Sequence, residues 1–129
     1  MAELLLARES ALLVQRLRLW TPARWAAAAE PWGTRADVVH HLAQAFADEA
    51  AEREGEPSRP LPRLPNDLAL PDQLAVVAAD LVATGLTTEE DHRATAHLLR
   101  HRGDLLGETT GPLDPAAIAA GCEDSRSVR

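Results

Sequence analysis

The chain has 129 residues, 46% of them apolar, and a net charge of −7, a size that buries one continuous core without disulfide or metal staples. All 13 basic residues are arginine, with no lysine and no tyrosine, which excludes a Schiff-base amine, the lysine of a P-loop and a phenolic acid. The arginines are scattered among acids rather than massed, so the footprint of a nucleic-acid binder is missing.

Alanine and leucine dominate the apolar residues, while Ile118, Phe46 and Asn66 are each the only one of their kind. That bias points to a GC-rich bacterial genome, and it makes helix the default for every periodic stretch. The opening MAELLLARES meets charge at Arg8 and Glu9, too soon for a signal peptide or a membrane span, so a cytoplasmic protein is expected. Cys122 is the sole cysteine, which leaves no internal disulfide and predicts an inert thiol.

Four helical segments follow from period and punctuation. The first runs from about Glu3 to Trp20, with Leu6, Leu13, Leu17 and Trp20 as its stripe and Leu5, Leu12 and Leu19 flanking it. Thr21 and Pro22 end it or begin a short helical turn over Arg24 to Ala29. Thr34 and Asp37 then form a capping-box-like start for a second helix that reaches about Glu54 and stops at Gly55. Its apolar arc holds Val38, Val39, Leu42, Ala45 and Phe46; His41 lies at the edge of that arc, and His40 points away from it.

Residues 56–70, EPSRPLPRLPNDLAL, predict an extended, polyproline-like connector within the domain. Pro71 opens a third helix with Leu74, Val77, Ala78 and Leu81 buried and Gly85 as its stop. The fourth helix starts at Thr88, capped with Asp91, and carries Ala94, Leu98, Leu105 and Leu106 inward to about Gly107. Residues 1–111 are thus one helical domain, and 112–129 a short Asp114-Pro115-capped turn with a disordered polar tail.

On the fourth helix His97, His101 and Asp104 fall at i, i+4 and i+7, along one edge beside the leucine stripe. Two imidazoles one turn apart can chelate one divalent ion, and His41 on a facing helix is the best candidate for a third ligand. Asp104 either orients a histidine or is a solvated acid. Histidines at the rim of an apolar stripe also commonly bond only locally, and HLLRH lacks the glutamate of a zincin motif.

The stretch RWAAAAEPWGTRADVVHHLAQ resembles the approach to the His-bearing second helix of the DinB and mycothiol-dependent maleylpyruvate isomerase superfamily, and HLLRHRGDLLGE resembles its later HxxxH segment. The likeness spans roughly residues 1–107. It implies an all-α four-helix bundle with an unusual connection, a divalent metal such as zinc or nickel on His41, His97 and His101, and, in some members, thiol-dependent transferase or isomerase chemistry with mycothiol or bacillithiol. Departures are the His40-His41 doublet, which leaves the ligand register open by one residue, and Asp104 where glutamine is common.

Other readings stay open. A non-catalytic helical protein could use its bundle ends or Trp-rich face to bind another protein or a second copy of itself, and a metal-free bundle could bind a small molecule in a cavity near the tryptophans. Trp20, Trp25 and Trp32 are expected to cluster at the bundle end. The segment RPLPRLP has the RxxPxxP spacing of an SH3 ligand at Arg59, Pro62 and Pro65, although a connector needs stiff, non-helical residues for structural reasons alone.

Overall fold

A computed structural model describes residues 3–107. The domain boundary at 111, the turn at Asp114-Pro115, the tail and Cys122 lie outside the described residues. The described chain is all-α apart from one two-residue ladder.

Helix α1 spans Leu5–Leu17 and buries Leu6, Leu13, Val14 and Leu17, while Leu5, Leu12 and Leu19 remain exposed. It ends earlier than the leucine pattern predicts, because the Leu19 and Trp20 amides bond back to Arg16 and Leu17 in a tight turn. The Thr21 hydroxyl then accepts from the Arg24 amide and starts α2, Pro22–Ala26.

The short helical turn expected after Thr21-Pro22 forms, but only as far as Ala26; its expected continuation to Ala29 is corrected by the structure. Strand β1, Ala28–Ala29, pairs antiparallel with β2, Gly33–Thr34. Alanine favours helix, but Gly33 holds φ at 116°, a conformation side chains resist, and a Cβ there would strike the Asp37 carboxylate. Turn geometry therefore overrides propensity, and the hairpin tip carries Trp32.

Helix α3, Arg35–Arg53, opens with the complete Thr34–Asp37 capping box. Its buried face holds Val38, Val39, Leu42 and Phe46 as expected, with Ala43 and Ala50 inward and Ala45 only half-buried. The connector then lies along α3, with a 3-10 turn at Asp67–Ala69. The Gln44 side chain clamps its backbone on two sides, accepting from the Leu61 amide at 2.6 Å and donating to the Arg59 carbonyl at 3.0 Å. His40 faces away from the core and is half-buried against the connector, its Nε2–H donating to the Leu61 carbonyl at 2.9 Å. Gln44→Ala is expected to speed tryptic cleavage after Arg63 several-fold while moving the urea midpoint little, as local opening and global unfolding are separable; unchanged cleavage would count against the clamp.

Helix α4, Leu70–Ala83, buries Leu74, Val77, Ala78 and Leu81 as its period predicts. Helix α5, Thr88–Leu106, is capped one residue earlier than expected. Thr87 forms the box with Glu90, because Glu at the third position closes it and the Thr87-Thr88 doublet hid the register. Asp91 is released for another task. It is 4% exposed, and its carboxylate accepts from the Leu5 and Leu6 amides, both at 2.8 Å.

Helix directions follow from these contacts. Arg18, just past α1, pairs with Asp72 at the start of α4, and Arg53, at the end of α3, reaches Thr84 and Gly85 at the end of α4 and Glu90 at the start of α5. So α1 and α5 run one way and α3 and α4 the other, with α1 and α3 each packed on both α4 and α5. The connector has to cross the full length of α3 to make this possible.

Candidate metal centre

His41 lies in the second turn of α3 and His101 near the end of α5, where the antiparallel pair brings opposite ends of the two helices together. Their Nδ1 and Nε2 atoms stand 3.2 Å apart, with nearly parallel rings at 17°. His101 is buried and His41 exposed. The other nitrogen of His101, Nδ1, donates to the His97 carbonyl at 2.9 Å, which fixes the tautomer and turns the Nε2 lone pair toward His41. In the hydrogen-bonded form His41 donates its Nδ1–H into that lone pair. Moving the proton to the outer nitrogen of the exposed His41 ring would direct a second lone pair at the same point.

The spacing suits a shared ion. Two imidazole nitrogens bound tetrahedrally to one zinc at about 2.0–2.1 Å stand roughly 3.3 Å apart. His97 is beside the pair, its ring 4.6 Å from His101 and 6.2 Å from Phe46, centroid to centroid. Among the described residues no three His, Cys, Asp or Glu side chains already converge as a ligand set, so His97 has to turn to complete one.

His97 has reason to turn. Its Nδ1 meets the Arg100 guanidinium at 3.3 Å, which can only donate, while its Nε2 is buried without a partner among the described residues. A proton on Nδ1 opposes the guanidinium, and a proton on Nε2 lacks an acceptor. Neither tautomer is satisfied, and an unmet buried nitrogen costs about 1–3 kcal/mol. Burial, then the nearby His101 and Arg100, push the His97 pKa down to about 4. Burial also lowers that of His101. Both rings thus stay neutral near pH 7, the form that can ligate a metal.

Two residues at this site differ from expectation. Trp32 leaves the other tryptophans and covers the pair, 4.5 Å from His41 and 5.3 Å from His101 between ring centroids. Asp104 neither orients a histidine nor stands in water alone; it accepts from the Trp32 indole N–H at 3.0 Å and ties the hairpin to α5. Only the position of Trp32 just before Gly33 and the Thr34 cap hinted at this. Trp20 and Trp25 pair edge-on at 4.9 Å, and the Trp25 N–H is buried without a hydrogen-bond partner among the described residues. Arg102 turns from the histidines toward Glu9, 3.7 Å away.

Among the described residues, no helix is long and apolar enough to cross a membrane. No protein-family model, no curated protein and no solved structure matches the chain.

Proposed function

We propose that this protein is a DinB-like four-helix bundle that binds a divalent metal, zinc or nickel, through His41, His97 and His101. The observation that carries the reading is the pair of imidazole nitrogens 3.2 Å apart, supplied by residues 60 positions apart in sequence. Three things support it further: the fixed tautomer of His101, the frustrated His97, and the two-up, two-down helix directions with one long crossover. An ion so held would lower the pKa of a bound thiol or water and present it as a nucleophile. The chain's own residues hold the ligands: the His97 carbonyl orients His101, and Trp32, fastened by Asp104, excludes water from one side of the pair.

The test is metal content and affinity. Chelator-treated protein should take up one equivalent of Zn²⁺ or Ni²⁺, and His101→Ala should lower the affinity about 100-fold or more, since it removes a ligand outright. His40→Ala should leave affinity unchanged and decide the register of the doublet. Substoichiometric uptake that His41→Ala, His97→Ala and His101→Ala all leave unaltered would sink the site.

A further inference from the structure

The seam between α3 and α5 continues past His97 into an open groove of about 810 Å³. Its α3 wall carries Asp48, Glu49 and Glu52, with Arg53 paired to Glu90 at one end; its α5 wall carries Arg93, His97 and Arg100. These last three fall at i, i+4 and i+7, so they share one helical face over about 10 Å of axis. Carboxylates therefore face guanidinium groups across the groove.

The two walls do not close on each other. Some charged residues at its rim and elsewhere find partners, as in Arg53 with Glu90 at 2.7 Å and Arg63 with Asp37 at 2.7 Å. The side chains of Arg93, Glu49 and Glu52 make no ion pair or hydrogen bond with any described residue. A simple anion would be opposed by the glutamates, and a simple cation by the arginines. A molecule with both charges satisfies both walls.

We propose that this groove binds a zwitterion of short-peptide size, its carboxylate on the Arg93 and Arg100 wall and its ammonium group on the Glu49 and Glu52 wall. Along the groove, the α5 face of about 10 Å leaves room for about three extended residues at roughly 3.3 Å each, their two termini turned to opposite walls. The site shares His97 with the metal reading but needs no ion, so the two stand or fall separately.

The experiment is a titration of the metal-free, ¹⁵N-labelled protein with triglycine, N-acetyl-triglycine and triglycine amide, followed by amide shifts. Triglycine should give saturable shifts in residues 45–53 and 93–100. Each blocked peptide should bind up to about fivefold more weakly, the worth of one exposed charge contact. Arg93→Gln should weaken triglycine but not triglycine amide, and Glu52→Gln should weaken triglycine but not the acetylated peptide. Both positions are exposed, so folding is retained, and a dispersed spectrum verifies it. Absence of saturable shifts with triglycine, equal affinity for all three peptides, or indifference to both substitutions would overturn the proposal.

Discussion

Asp91→Ala is expected to lower the free energy of unfolding by about 2–4 kcal/mol, since it removes two charge-assisted hydrogen bonds and leaves the Leu6 amide without an acceptor in the core. Helix α1 has no side-chain cap of its own at Leu4, so the Asp91 carboxylate is what satisfies its first amides. Leu6 is fully buried whereas Leu5 is 38% exposed; water can replace the lost partner at Leu5 but not at Leu6. Asp91 also sits in the acidic first turn of α5, where a negative charge near the helix start contributes a further few tenths of a kcal/mol. Glu89→Ala removes a charge from the same turn without touching α1, and should stay within about 0.5 kcal/mol of the parent. Urea unfolding of the two variants decides the matter: comparable losses would mean that charge, not capping, is what Asp91 supplies.

Acid should destabilise the metal-free protein in two successive windows. The His97 pKa falls from 6.5 to about 4 on folding, so between those values the unfolded chain holds the extra proton. Stability on this account is complete above pH 6.5 and is lost as pH drops toward 4. Discounted for solvent reaching a half-buried ring, the loss is on the order of 2 kcal/mol. Burial of His101 lowers its pKa too and acts in the same direction. Glu90 supplies the second window: the Thr87 amide and then Arg53 hold its pKa at about 2 against an ordinary 4.5, so its contribution is present above 4.5 and lost as pH falls to 2. Urea midpoints at about pH 7.5, 5 and 3 map both windows, and His97→Gln should shrink the first, leaving the part due to His101, while sparing the second. A midpoint that does not change between about pH 7.5 and 4.5 in the parent would contradict the burial of His97.

How much was legible beforehand depends on how local each determinant is. The α4 stripe of Leu74, Val77, Ala78 and Leu81 could be read because a 3.6-residue period and its burial coincide, and the Thr34–Asp37 box because both partners lie within four residues. The choice of His41 over His40 also came from period alone; the structure adds that His40 is held by the connector. The hairpin at Ala28–Thr34 was hidden by four alanines whose propensity is helical, and the turn at Gly33 decided against them. Trp32 over the histidines, Asp104 on Trp32 and Asp91 on α1 were hidden for a different reason. Each joins residues distant in sequence, and no spacing rule reports such a contact.

The bond between Asp91 and the start of α1 also sets an order of events. The Leu5 amide and its acceptor are separated by 86 positions, so during synthesis the first helix leaves the ribosome roughly 4 to 17 s before its cap exists, at about 5–20 residues per second. Over that interval α1, already amphipathic, exposes its leucine stripe with its N-terminal amides unmet. The domain cannot be completed piecemeal from its N-terminal end: arrival of α5 supplies at once the cap for α1, the partner for His41 and the anchor for the Trp32 hairpin. A nascent chain halted before residue 91 would therefore be the species a chaperone meets.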